Sequence, residues 1–349
     1  MADSERVGAA GKEGAALSGR KSGRPAMALV FLAVLAVLAA GGYLIGRHFE
    51  ENGVREERGH MTEGFGRYEE KIYRGRTYYK KTDVTTLLLM GVDRDTTREQ
   101  RLYRDGGQAD FLLLLVIDHE AKTVRQLQIE RDTMARVHVL TILGQDGGHM
   151  NLQICLSHGY GANQEVCAQN TVEAVSHYLD NLGVDLYMAV DYSAVPTIND
   201  MLGGVTVTLK DDFGTPDMQP GMTVTLKGKQ AETFVRARMS VGDGTNASRQ
   251  IRQREWLDGA TALMSGKAGE NPNFFGEMLD ALGMRLTTNA SRGRLINEFN
   301  AAFGYERVPV EQIPGEYTVG RDGFTEYHTR ADDVTQWVLK AVYRPAEEE

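Results

Sequence analysis

VTTLLLMGV at residues 84–92, FLLLLVI at 111–117 and VRQLQI at 124–129 are short apolar or alternating runs bounded by turn-forming residues, the pattern of buried strands. Working outward, residues 170–182 set Val172, Val175, Tyr178, Leu179 and Leu182 on one helical face, with Gly183 as the expected stop. Residues 186–190 read as another strand, 193–202 as a short helix ending in Gly203-Gly204, and 205–209 as a further strand. Helices are expected over 228–238, from 248 to 264, over 274–282 and 291–303, and last over 330–342. Strands interleaved with helices in this way predict an α/β fold of α-β-α type, a mixed central sheet flanked by helices.

The composition narrows the class. A chain of 349 residues with 42% hydrophobic and 25% charged residues is not wholly disordered and is long enough for a real core. Its 39 Lys and Arg against 48 Asp and Glu leave a net charge of -9. Such a surface does not grip nucleic acid as a whole, so any basic site is concentrated. Two cysteines exclude a disulfide-dense scaffold and a CxxC zinc site.

The N-terminus sets the expected compartment. Residues 1–26 are a polar tail closing in Arg20, Lys21 and Arg24. MALVFLAVLAVLAAGGYLIG at 27–46 is uncharged over about the length a helix needs to cross a bilayer, and is expected to be an uncleaved transmembrane anchor. A cleavable signal peptide is the alternative, with small residues at 39–41. The basic residues before the span place the tail in the cytoplasm and everything after residue 47 outside the cell membrane. Residues 47–82, rich in Glu, Arg, Lys and Gly, read as a juxtamembrane stalk. A folded α/β domain is expected over 83–265, and a helical extension packed on or beside it over 266–349. Outside the membrane Cys155 and Cys167 are free to oxidise, and a bridge closing a loop of about a dozen residues is expected, with two buried thiols as the alternative.

The usual catalytic signatures are missing: no GxxxxGK[ST], HExxH, GxSxG or strand-to-helix GxGxxG. What stands out is charge at element ends. Asp93 and Arg94 follow one strand, Asp110 opens the next, and Arg131 and Asp132 follow Ile129. Arg236 and Arg238 close a helix, and Arg249, Arg252 and Arg254 lie in the first turns of another. C-terminal strand ends form the usual crevice of an α/β sheet, and Asp110 joins them only if its strand runs antiparallel to its neighbour. Carboxylates beside several guanidiniums suit a divalent-cation-assisted pyrophosphate site. Turn residues, ion pairs and a solvated helix face are the other reading, and spacing leaves both open.

GVDR (91–94), AD before an apolar strand (109–115), ERDT (130–133), HMN (149–151), NTVEAVSHYLDNLGVDLYMAVDYS (170–193), INDMLGGVTV (198–207), LKGKQAETFVRAR (226–238) and SRQIRQ (248–253) resemble, in order and spacing, the LytR-CpsA-Psr family over roughly residues 84–265. The resemblance implies a bacterial phosphotransferase that moves a cell-wall glycopolymer from a polyprenyl-pyrophosphate carrier onto peptidoglycan. It makes the carrier-linked polymer, the peptidoglycan acceptor and the membrane the expected partners, with no nucleic acid, and Mg²⁺ or Mn²⁺ the expected cofactor.

Carried over position by position, Asp93 and Asp110 match metal-associated aspartates and form the catalytic set with Arg131. Arg94, Arg131, Arg236, Arg238, Arg249, Arg252 and Gln253 become the expected pyrophosphate contacts. A polyprenyl tail also calls for an apolar tunnel; Leu, Val and Met residues of the central strands and of the helix around Val172 would line it, or else are simply core. Three departures from the family pattern stand out. Gln108 replaces an arginine, so that one phosphate contact is missing or supplied by Arg94 or Arg104; Glu130 replaces a proline, and MSVGDGTNAS at 239–248 leaves Asp243 without an assigned role. The competing functions are a non-catalytic polymer-binding or regulatory envelope protein and a lipid-linked pyrophosphatase that uses water.

Overall fold

Leu88, Met90 and Val92 face one side of their strand and Leu87 and Leu89 the other, so the decisive run at 84–92 is covered on both faces. Residues 70–94, 106–239 and 241–346 are described by the computed structural model. The 1–26 tail, the 27–46 span and residues 47–69 of the expected stalk lie outside the described residues. No helix among the described residues is long and apolar enough to cross a membrane.

In chain order the strands are β1 (Glu70–Tyr73), β2 (Arg76–Lys80), β3 (Val84–Asp93), β4 (Gln108–Asp118), β5 (Thr123–Ile129), β6 (Met134–Leu140), β7 (Asp146–Gln153), β8 (Leu186–Asp191), β9 (Thr206–Thr208), β10 (Thr223–Thr225), β11 (Leu286–Thr288), β12 (Glu306–Arg307), β13 (Gly315–Val319), β14 (Thr325–Thr329) and β15 (Tyr343–Pro345). The α-helices are α1 (Gln164–Tyr178), α2 (Val195–Met201), α3 (Lys229–Arg236), α4 (Asn246–Glu270), α5 (Phe274–Leu282), α6 (Arg292–Gly304) and α7 (Ala331–Val342).

The central sheet has the order β11-β8-β3-β4-β5-β12. β3 pairs antiparallel with β4 and parallel with β8, β4 and β5 are antiparallel, and β12 joins β5 in parallel. This is the expected mixed α/β sheet. One face packs against α1, α7 and the β6–β7 hairpin through Val137, Ile154, Val175, Leu179 and Trp337. The other is covered by α2 to α6 through Val195, Phe234, Trp256, Phe275 and Phe299.

Two expected boundaries change. The segment after residue 265 is no helical appendage: it supplies both outer strands of the central sheet, β11 and β12, and the β13–β14 hairpin. Residues 70–80 are no stalk, because β1 and β2 form a three-stranded sheet with β15 from the far end of the chain. These strands are two to five residues long, too short for alternation to stand out from a polar background. Helix α1 also starts earlier than expected, where the Asn163 side chain accepts a hydrogen bond from the Val166 amide. It stops before Gly183 because Asp180 and Asn181 already hold left-handed backbone, φ 57° and 61°.

An apolar cavity of about 230 Å³ lies between the second face of the sheet and α4, α5 and α6, lined by Leu89, Phe111, Met188, Val190, Trp256 and Phe275 among others. The central strands contribute to it as expected. The helix around Val172 does not, because it packs on the opposite face.

Candidate active site

Four strands bring chain ends to one edge of the sheet. β3 finishes at Asp93 and its parallel neighbour β8 at Asp191, while antiparallel β4 begins at Gln108 and β5 ends two residues before Arg131. The antiparallel condition on Asp110 is therefore met. Gly91 pairs with Phe111 and Val92 with Ala109, so Asp110 is the extra residue of a β-bulge. A bulge takes one residue out of the ladder and re-aims its side chain.

Asp110 is 4% exposed and lies between two guanidiniums. Its Oδ2 accepts a hydrogen bond from Arg249 Nη1 at 2.7 Å, and its Oδ1 lies 2.8 Å from Arg131 Nη1. Arg131 Nη2 donates to Gln108 Oε1 at 2.8 Å and to Cys155 Sγ at 2.9 Å, and its Nε lies 3.2 Å from Asp132 Oδ1. Gln108 thus offers Arg131 an acceptor where a second guanidinium would repel it. Arg249 Nη2 donates to Asn246 Oδ1 at 2.6 Å, and Asn246 Nδ2 to Glu130 Oε1 at 2.8 Å. Glu130, whose carboxyl is pushed up by burial, is therefore wired to Asp110 through Asn246 and Arg249.

A second pair stands at the rim, where Arg236 Nη2 donates to Asp93 Oδ1 at 2.6 Å and Arg236 Nη1 to Glu232 Oε1 at 3.2 Å. Tyr192 links the two groups. Burial pushes its hydroxyl up, Asp110 and Asp93 add to that, and Arg249 and Arg131 oppose it, so all four charges bear on one oxygen. Gln253 Nε2 donates to that hydroxyl at 2.7 Å. Burial likewise raises Asp132 against the pull of Arg131, Arg238 and Arg249, so the charge of exposed Arg238 is felt at the cluster.

Asp110, Arg131 and Arg249 are thus in direct contact, Asp93 and Arg236 form a separate pair, Gln253 holds Tyr192, Arg238 acts on Asp132 through its charge, and two expected contacts point elsewhere. Arg94 forks onto Asp191, with Nε at 3.1 Å from Oδ1 and Nη2 at 2.5 Å from Oδ2, and ties the end of β3 to the end of β8. Arg252 donates to the Phe234 carbonyl at 3.1 Å, to the Ala237 carbonyl and to Asp211 at 2.8 Å. It therefore anchors the segment that carries Arg236 and Arg238 instead of reaching the cluster. Arg104, an alternative contact in place of Gln108, lies outside the described residues. Asp191, Tyr192 and Asn246 escape sequence reasoning, since Asp191 holds Arg94 while Tyr192 and Asn246 meet the cluster only through tertiary contacts.

The expected disulfide is absent: Cys155 and Cys167 are buried, unbridged cysteines. The Cys155 sulfur is turned to Arg131, and that of Cys167 packs where a Cβ on Gly106 or Gly161 would come within 2.5 or 2.7 Å of it. Burial pushes the Cys155 thiol up to about 12 despite Arg131, so it stays neutral.

Asp243 acquires a role. Its Oδ1 accepts from the Thr245 amide at 2.9 Å, the Thr245 hydroxyl at 2.7 Å and the Ser248 hydroxyl at 2.6 Å, while Thr245 caps α4 by accepting from the Ser248 amide. These bonds to Ser248 and Thr245 hold its carboxyl down at about 2. A depressed carboxyl stabilises the fold in full above its ordinary value and loses that stabilisation as pH falls through the depressed one. Asp243→Ala is therefore expected to melt below the native chain at pH 7, with the gap closing between pH 4 and pH 2 in calorimetric scans.

The aspartates fit a hard divalent cation. Asp110 Oδ1 is buried and accepts no aligned hydrogen bond, and Asp93 keeps a third of its side chain exposed. One or two carboxylates completed by phosphate oxygens and water suffice for Mg²⁺.

Comparison with known proteins places this geometry. The model of the LytR_cpsA_psr family matches residues 54–340. The chain is 30% identical over 210 residues to the polyisoprenyl-teichoic acid–peptidoglycan teichoic acid transferase TagU of Bacillus licheniformis, covering 59% of this chain and 60% of that protein. The chain thus spans about three fifths of that relative's length. Protein gbs0355 of Streptococcus agalactiae shares the fold with a TM-score of 0.61 at 22% identity, over 75% of this chain and 91% of that one. Bacillus subtilis TagV does so with a TM-score of 0.57 at 20% identity, over 75% and 98%. The motifs, the sheet and the family match agree, and the chain belongs to the LytR-CpsA-Psr family.

Proposed function

We propose that this protein is a membrane-anchored, extracytoplasmic phosphotransferase that moves a glycopolymer from a polyprenyl-pyrophosphate carrier onto peptidoglycan. The observation that carries the reading is the contact between two unlike regions. The apolar cavity is lined in part by Tyr192, whose hydroxyl feels the charges of Asp110, Asp93, Arg249 and Arg131, and by Gln253, which donates to that hydroxyl. A doubly phosphorylated isoprenoid has the matching halves, an anionic head and an apolar tail. The name of the TagU relative describes a polyisoprenyl-linked donor and a peptidoglycan acceptor, in keeping with this reading.

In this mechanism Arg236 and Arg238 take the pyrophosphate at the rim, with Arg131 behind them. Guanidinium forks match phosphate oxygens two bonds at a time. Held so, the sugar-linked phosphorus faces the acceptor hydroxyl. A bond forms from that oxygen to phosphorus, the bond from phosphorus to the bridging oxygen breaks, and polyprenyl phosphate leaves with both bonding electrons. Asp93, the more exposed of the two carboxylates, takes the hydroxyl proton. Asp93 and Asp110 would hold a divalent cation such as Mg²⁺, which would supply charge neutralisation on the phosphate oxygens. Positioning and preorganised charge account for most of the acceleration in such reactions.

Product analysis tests the reading. With carrier-linked polymer, Mg²⁺ and a glycan acceptor, the expected products are a polymer–glycan phosphodiester and polyprenyl phosphate. Polymer phosphate formed at the same rate with and without acceptor identifies a pyrophosphatase instead, and binding without turnover identifies a non-catalytic module.

A further inference from the structure

Away from the arginine cluster, on the face that carries α1 and the β6–β7 hairpin, three side chains converge that the proposed reaction does not use. His149 from β7 approaches Glu173 and His177, one turn apart on α1, and a set of ligand atoms drawn one from each residue lies within 4.8 Å of one another. His149 Nε2 is 2.8 Å from Glu173 Oε1, and His177 Nε2 is 3.5 Å from the same oxygen. In a tetrahedral zinc site with donors about 2.1 Å from the ion, the donors stand about 3.4 Å apart. The two printed separations from Glu173, 2.8 and 3.5 Å, bracket that spacing, and no donor pair exceeds it by more than about 1.4 Å.

The hydrogen bonds behind the cluster point the same way. His177 Nδ1 is 3.0 Å from Asn181 Oδ1, an acceptor, so Nδ1 carries a proton and Nε2 is the ring atom that faces the Glu173 carboxylate. A positive charge between that nitrogen and the carboxylate is supplied by a second proton on the ring or by a metal ion that displaces it. An outer hydrogen bond that fixes the tautomer in this way is the usual companion of a metal-ligating imidazole. Asn181 reaches back to His177 because its own backbone is left-handed, φ 61°. One neighbour opposes the ion: Arg136 Nη2 lies 3.3 Å from His149 Nδ1, and this exposed guanidinium must swing aside for that nitrogen to carry its proton. His138, paired in register with His149, is engaged by Asp146 at 3.0 Å, which leaves the fourth position to water.

We propose that His149, Glu173 and His177 form a binding site for a transition-metal dication, Zn²⁺ by donor type, that fastens the β6–β7 hairpin to α1. The set is two imidazoles and one carboxylate, chemically distinct from the all-oxygen pair Asp93 and Asp110.

The test uses the full chain, purified without a histidine tag, and the metal ions alone. Zn²⁺ at about a hundredfold excess over its Kd is expected to raise the melting temperature by about 5 °C. Co²⁺ is expected to give the visible absorption of a four- or five-coordinate ion. His149→Ala and His177→Ala each weaken binding at least about tenfold, whereas Arg136→Ala tightens it about fivefold by removing a nearby positive charge. His328→Ala, a histidine paired with Glu326 elsewhere on the surface, leaves binding unchanged. An equal thermal response in the chain and in the double variant His149→Ala/His177→Ala overturns the proposal, as does no response to millimolar Zn²⁺.

Discussion

Asp110→Ala is expected to lower transfer by about three orders of magnitude and the melting temperature by about 10 °C. Both effects come from one geometry. The carboxylate is buried between Arg131 and Arg249, and its removal leaves two buried guanidiniums facing each other without the charge that separates them. Arg131 keeps Gln108, Cys155 and Asp132, but Arg249 is left with Asn246. The loss of stability therefore falls mainly on the Arg249 side, and a double-mutant cycle between Asp110→Ala and Arg249→Ala is expected to be strongly non-additive. Melting curves and transfer assays on the three variants check this. A variant that keeps a tenth of native turnover would remove Asp110 from the chemistry.

Val190→Trp is expected to cut transfer from a long polyprenyl donor by about a hundredfold while leaving the fold intact. Val190 lines the cavity on β8, and an indole there takes the space of several isoprenyl carbons. Each methylene kept out of an apolar site forfeits about 0.8 kcal/mol, so four of them amount to about a hundredfold in affinity. The signature is selective: a short-chain pyrophosphate donor, which leaves the cavity empty, should be turned over by chain and variant alike. Equal loss on both donors would mean that the cavity does not hold the tail.

The strands that build the sheet were legible because β3 and β4 are buried on both faces, and such runs are apolar without a break. The edge strands were not, since β12 is two residues long and its neighbourhood is held by backbone bonds such as Val308 N–H to the Val124 carbonyl at 2.9 Å. Such bonds leave no side-chain signature. At the site, Asp110 and Arg131 were readable from their places at strand ends together with the family resemblance. The turning of Arg252 toward the Phe234 and Ala237 carbonyls was not, because both acceptors belong to the backbone of another helix and the turn after it. Asn163 was a readable signal overlooked, a helix cap directly before the true start of α1.

The pairing of β15 with β2 joins residues more than 260 positions apart, and Tyr73 and Arg74 likewise reach Asp332 at 2.5 and 2.7 Å. A ribosome must therefore deliver the chain through β15 before the first described strands find all their neighbours. Contacts so distant along the chain make assembly slow. A premature stop between residues 265 and 286 would strip the central sheet of both outer strands and leave the truncated product with open strand borders.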